Sequence, residues 1–156
     1  MKCRLIAAGT RLPDWINAGF HEYQKRLRAP LTLELVEIPV AIRRAGENPQ
    51  RAVLREGAQM LATIGRADYV VALDISAKTM STVELGAWLK LRMRDGRPLA
   101  MLIGGPDGLA SQCRERADLS WSLSPLTLPH ALVRVVVAEQ LYRATSLLAG
   151  HPYHRA

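Results

Sequence analysis

Cysteine is scarce in this chain, long apolar runs are missing, and acidic residues are outnumbered. Only Cys3 and Cys113 occur among 156 residues. They are too few for a disulfide framework, and with no secretion signal in view they read as reduced, buried packing residues. Every apolar run is cut by charge, proline or glycine well short of the ~20 residues that a membrane-crossing helix needs. The opening segment MKCRLIAAGTRLPDW has too short an apolar core, and no clear cleavage site, for a signal peptide. A cytoplasmic protein without membrane association is therefore expected. No G-x-G-x-x-G fingerprint and no Walker lysine occur, which argues against a dinucleotide fold and against a P-loop hydrolase. Internal repeats, linkers, low-complexity segments and a basic tail are also missing.

What is present is ordinary globular composition, 49% hydrophobic and 22% charged. Residues 1–156 fit one domain, long enough to bury its own core. The net charge of +7, from 21 basic against 14 acidic residues, favours an anionic partner such as nucleic acid.

Strand and helix patterns alternate along the chain. Residues 2–8, 31–39, 69–75, 99–103 and 119–124 read as strands. Helices are expected over 15–28 with Asp14 as cap, and from Pro49 to about Gly65 with Asn48 as cap. A third runs from Ser81 to Asp95, where Glu84 completes a capping-box signature and Gly96 closes the helix. A short helix covers 109–116, and a Leu- and Val-rich one covers 131–149, ended by Gly150. On the first helix, Trp15, Gly19, Tyr23 and Leu27 are placed on one face. The strands at 69–75 and 99–103 are apolar on both faces, as parallel strands under helices should be. The fold class is α/β, a mostly parallel sheet flanked by helices.

In such sheets ligands sit beyond the carboxyl ends of the strands. Three strand ends carry unusual residues. One is Leu73-Asp74, where Asp74 either caps a turn or faces a ligand. The second is LIGGPDGL at 102–109, whose glycines offer bare backbone, either to a ligand or simply to a tight turn. The third, LSPLTLPH at 123–130, is apolar yet bounded by Pro125 and Pro129, so regular structure is unfavourable there. Its backbone groups and aliphatic side chains suit the edge and faces of an adenine ring.

LIGGPDGL, SWSLSPLTLPHALVRVVVAEQLYRA and the terminal HPYHR together resemble the RlmH-type ribosomal RNA methyltransferases of the SPOUT superfamily. The resemblance spans the whole chain. One departure is Asp107, where the family more often has Glu. The resemblance implies a deep C-terminal trefoil knot whose loops hold S-adenosylmethionine. The implied cofactor-binding residues are Leu73, Gly104, Leu123, Ser124, Pro125, Leu126, Thr127 and Leu128. It further implies a homodimer in which both subunits build the active site. The reaction it implies is methylation of N3 of a pseudouridine in helix 69 of 23S rRNA, with the assembled ribosome as partner.

That nitrogen carries a proton at neutral pH, so a base is required. His154 is the first candidate, since imidazole titrates near neutrality. Tyr153 is placed to stack on or hydrogen-bond the pyrimidine, and Arg155 to bind phosphate or steady negative charge. Glu139 is the second candidate base, although Arg143 four residues on offers it an ordinary helix ion pair. Arg134 and Arg143 are assigned to RNA or to the other subunit, and Arg43 and Arg44 to phosphate or solvent. His130 reads as a helix-start residue. His151 and His154 lack a third ligand, so no metal is expected. The alternative is a noncatalytic RNA- or ribosome-binding protein of the same fold.

Overall fold

The computed structural model describes residues 1–42 and 45–155, the side chains of residues 154 and 155 excepted. Arg43 and Arg44 lie outside the described residues. The elements follow in the order β1 (Lys2–Ala8), α1 (Asp14–Gln24), β2 (Thr32–Ile38), α2 (Pro49–Thr63), β3 (Tyr69–Leu73), α3 (Thr82–Asp95), β4 (Leu99–Ile103), α4 (Ser111–Arg116), β5 (Leu119–Trp121) and α5 (His130–Leu148). A 3₁₀ turn, Pro152–Arg155, ends the chain. The five strands form one sheet in the order β2-β1-β4-β3-β5, and every pairing is parallel. The expected α/β architecture is therefore present.

Alternation along the strands divides the core in two. Cys3, Leu5 and Ala7 of β1 and Leu99, Met101 and Ile103 of β4 face the side covered by α1, α3 and α5. Ile6 and Ala8, with Ala100 and Leu102, face the side covered by α2 and α4. Both faces of the central strands are thus dry, which is why β3 and β4 read as unbroken apolar runs. Removing most of a side chain such as Leu102 would cost about 3 kcal/mol. Burial also pushes the Cys3 thiol up to about 12, and both cysteines are free and buried, as packing residues should be.

Helix ends follow local chemistry. Asn48 Oδ1 accepts from the Gln50 N–H at 2.9 Å. The Ser81–Glu84 capping box is complete, and Gly96 closes α3 in the left-handed conformation that glycine adopts without strain. Two expectations for α1 change. Asp14 is the first helical residue rather than the cap, so its carboxylate lies in the first turn, where the helix dipole favours it. Trp15 is 63% exposed, whereas Gly19, Tyr23 and Leu27 face inward as expected, alongside the fully buried Ile16 and Phe20. The helix stops at Gln24 rather than 28. Residues 25–28 tighten into short-range bonds ahead of Pro30, which cannot continue a helix.

β3 and β5 are shorter than their apolar runs. The Asp74 N–H donates to the Trp121 carbonyl, but the Ser122 N–H turns to the Lys78 carbonyl at 3.1 Å, so pairing ends. α5 ends at Leu148, and Gly150, at φ +68°, sits just past it. No described helix is long and apolar enough to cross a membrane.

Candidate active site

The connections that leave β3, β4 and β5 enclose a cavity of about 680 Å³ at the carboxyl edge of the sheet. Leu73, Gly104, Leu123, Ser124, Leu126, Thr127 and Leu128 all line it; Pro125 does not. Pro125 is exposed to solvent. His130, the first residue of α5, and Val133 add a wall from the helix.

Each loop is shaped by its own short bonds. Asp74 Oδ1 accepts from the Ser76 N–H at 2.9 Å and from its hydroxyl at 2.7 Å. Asp74 therefore both closes a turn and lines the cavity. The two bonds from Ser76, side chain first, hold its carboxyl below the usual range despite partial burial, and Arg114 adds a weaker pull. In the second loop, the Gly108 N–H donates to the Gly105 carbonyl at 3.0 Å. A Cβ on Gly104 would lie 2.4 Å from the Gly108 carbonyl carbon. What approaches the bare backbone of Gly104 most closely is thus the chain itself. Its missing side chain lets the loop fold tightly, and the folded loop then lines the cavity. Of the two readings of these glycines, Gly104 itself serves the tight turn. In the third loop, Ser122 Oγ donates to the Ser124 carbonyl, and Ser124 Oγ accepts from the Leu126 N–H, each at 3.0 Å. These side-chain turns replace the ladder that two prolines forbid.

The lining suits an adenosine-bearing methyl donor. Its volume lies within the range of small-molecule sites, aliphatic walls dominate, and a few polar groups converge. The indole N–H of Trp121, a lining residue only 3% exposed, has no hydrogen-bond partner among the described residues. No group of three His, Cys, Asp or Glu side chains is disposed for a metal among the described residues.

Two buried charges support the loops and were not singled out from the sequence for that role. Glu56 of α2 is 7% exposed; Oε1 accepts from the Ala41 N–H at 3.0 Å, and Oε2 lies behind Gly105. Its signal was a carboxylate in register with buried Ala52, Val53 and Met60. Arg134 is 1% exposed and donates to the Ala8 and Gly9 carbonyls at 2.9 and 2.6 Å and to Glu37 at 2.7 Å. The expectation that Arg134 touches RNA or another subunit is overturned. It ties α5 to the carboxyl ends of β1 and β2, and its burial leaves no surface for a partner.

The tail candidates stand apart from this cavity. Arg143 donates to Glu139 Oε1 at 2.8 Å from Nε and 2.7 Å from Nη2, so the helix ion pair is present. The Tyr153 hydroxyl is 3.3 Å from the same oxygen, and its ring lies 4.7 Å from that of Tyr142. Burial first, then hydrogen bonding with Tyr23 and the negative charge of Glu139, push the Tyr153 phenol well above its ordinary value, so it remains protonated. The tail is thus seated on its own α5. Neither Glu139 nor Tyr153 lines the cavity. The backbone of His154 and Arg155 belongs to the 3₁₀ turn, while their side chains lie outside the described residues.

Residues 1–154 match the family model described as "Predicted SPOUT methyltransferase". The chain is 54% identical over 156 residues to the ribosomal RNA large subunit methyltransferase H of Alkalilimnicola ehrlichii, covering 100% of both. It is 47% identical over 155 residues to the protein of the same name from Hahella chejuensis, covering 99% of both. Among solved structures it resembles TrmJ from Z. mobilis ZM4, with a TM-score of 0.54, 14% identity, and coverage of 92% of this chain and 70% of that one. That last likeness is one of fold.

Proposed function

The chain belongs to the SPOUT methyltransferase family, and from that membership we propose that it methylates large-subunit ribosomal RNA at N3 of a pseudouridine in helix 69. The observation that carries the reading is the cavity itself. Three independent strand ends converge on one space, and seven of the eight residues assigned to S-adenosylmethionine line it.

Leu73, Gly104 and the segment from Leu123 to Leu128 would hold the cofactor. When bound, S-adenosylmethionine supplies a methyl group made electrophilic by its positive sulfur. The aliphatic walls keep water from that group. His154 accepts the proton of the pyrimidine N3, and Arg155 pairs with the negative charge that develops on the ring. Tyr153, as a protonated phenol, donates rather than accepts. Glu139 already receives Arg143 and Tyr153, which leaves His154 the better base.

The working unit is a homodimer in this reading. Leu132 and Val136, one turn apart on α5, are half-buried and belong to neither core cluster. A second copy laid on α5 would cover them. It would also bring the tail of one subunit to the cavity of the other, which accounts for Glu139 and Tyr153 lying off their own cavity. The C-terminal trefoil knot belongs to the same proposal: the loops that would form it are those bordering the cavity. The net charge of +7 draws the dimer to the ribosome in the cytoplasm, where the assembled particle supplies selectivity that 156 residues alone would struggle to provide.

The test is transfer of labelled methyl to ribosomes lacking the modification, with mapping of the modified nucleotide. Label at N3 of the helix 69 pseudouridine is expected. Binding of S-adenosylmethionine by calorimetry, with no transfer to ribosomes or free RNA, would leave the enzyme reading without support. Absence of both would favour the noncatalytic RNA-binding protein.

A further inference from the structure

The seat of the tail does not end at α5. The ring of Tyr23, on α1, lies 6.4 Å from that of Tyr142, and Tyr142 lies 4.7 Å from Tyr153. The three rings make a continuous row from α1 across α5 to the tail. Arg26 sits over this row, its guanidinium 5.7 Å from the centroids of both Tyr23 and Tyr142. It is held there by Glu22, which accepts from its Nε at 2.9 Å. At the far end Arg143 lies 5.0 Å from the Tyr153 ring, fixed in turn by Glu139.

A chain terminus ordinarily frays, because few contacts offset the entropy of ordering it. Here stacked rings and guanidinium contacts supply that offset. Ile16 and Phe20 are the fully buried residues of α1, and Tyr23, on the same stripe, packs half-buried at the margin of that core. Tyr23 and Arg26 lie at the margin, where their main reach is toward Tyr142 and the tail. None of these residues lines the cavity.

We propose that Tyr23 of α1 and Arg26, just beyond its end, are positioning residues for methyl transfer: they fix Tyr142, and through it Tyr153, and so set the backbone from which His154 and Arg155 project. This rests on the proposed role of the tail in the reaction. A displacement of the tail by an ångström is enough to lower turnover roughly 100-fold.

The experiment compares Tyr23→Ala, Tyr23→Phe, Arg26→Gln and Arg26→Lys with the parent in steady-state methyl transfer. S-adenosylmethionine affinity, melting temperature and hydrogen exchange of the backbone amides in residues 151–155 are measured alongside. Tyr23→Ala should lower kcat by roughly 10- to 100-fold, while cofactor affinity stays within about twofold and the tail amides exchange faster. Tyr23→Phe keeps the row of rings but removes the Tyr23 hydroxyl that bonds Tyr153, so it should recover kcat only in part. Arg26→Lys should recover less than that, since a point charge does not lie flat over two rings. The proposal is overturned if Tyr23→Ala turns over like the parent. It is also overturned if kcat, cofactor affinity and melting temperature fall together while tail exchange is unchanged. Were the parent itself inactive, the assigned reaction would fail, yet tail exchange would still decide whether Tyr23 and Arg26 hold the tail.

Discussion

The two edges of the sheet are built from the same strands, yet only one of them leaves a space between its loops. At the amino edge, charges close on one another. Asp68 takes Arg4 and the Gly65 N–H, while its carbonyl receives Arg97 and Arg116. Asp118 accepts from the Val70 N–H and lies 3.5 Å from Arg116. At the carboxyl edge, aliphatic loops stand around a space, and a buried indole N–H has no partner among the described residues. The amino edge uses its polar groups to hold strands in place. The carboxyl edge also pairs its charges, Arg134 with Glu37 and Asp74 with Ser76, but its loops after β3, β4 and β5 leave an aliphatic space between them.

Changes at the two edges should therefore separate stability from chemistry. Deleting residues 151–156 should have the largest effect, more than about 100-fold on methyl transfer. Calorimetry should find S-adenosylmethionine binding nearly intact, and a truncated protein with full turnover would remove the tail from the mechanism. Gly104→Val comes next. Its side chain must displace the Gly108 backbone, so the loop shifts, with cofactor affinity down at least about tenfold. Tight binding with an unchanged loop would contradict the close approach seen here.

Asp68→Asn tests the opposite edge. It removes the charge partner of Arg4, and denaturant unfolding should show a loss of about 3 kcal/mol. At a permissive temperature the turnover of the folded protein should be unaltered; a selective loss of kcat would break the division between edges. Ser81→Ala removes the capping box of α3 and should cost about 1 kcal/mol, with no change in cofactor affinity. The smallest effect concerns Asp74. Its folded carboxyl lies below the ordinary value, so its contribution is present above about pH 4 and is lost as the pH falls through the depressed folded value. Asp74→Asn should flatten that part of the acid unfolding curve, and an identical curve would show that the Ser76 bonds add nothing.

Much of the site was legible because its chemistry is local. A proline-bounded apolar segment at 123–130 cannot form regular structure, and paired glycines after a buried strand must turn. The caps Asn48 and Ser81 were legible for the same reason, since each bonds within three residues of itself. Arg134 was misread because an arginine on a helix is ordinarily solvent-facing. Only the meeting of α5 with the ends of β1 and β2 supplies the acceptors that make its burial tolerable. Trp15 was misassigned because helical periodicity places it with Gly19, Tyr23 and Leu27, whereas the tertiary fold leaves it exposed.

The succession of strands and helices and the turns at the carboxyl edge are written in the chain, since each depends on neighbours a few residues apart, and the two-faced apolar runs point to parallel strands under helices. Sequence resemblance also carried the family. The tertiary fold decided which charges are buried, whether Gly104 meets a ligand or its own loop, and where the tail rests. Those outcomes depend on groups brought together from distant parts of the chain, such as Tyr23 with Tyr153 and Arg134 with Ala8, whose proximity no local pattern encodes.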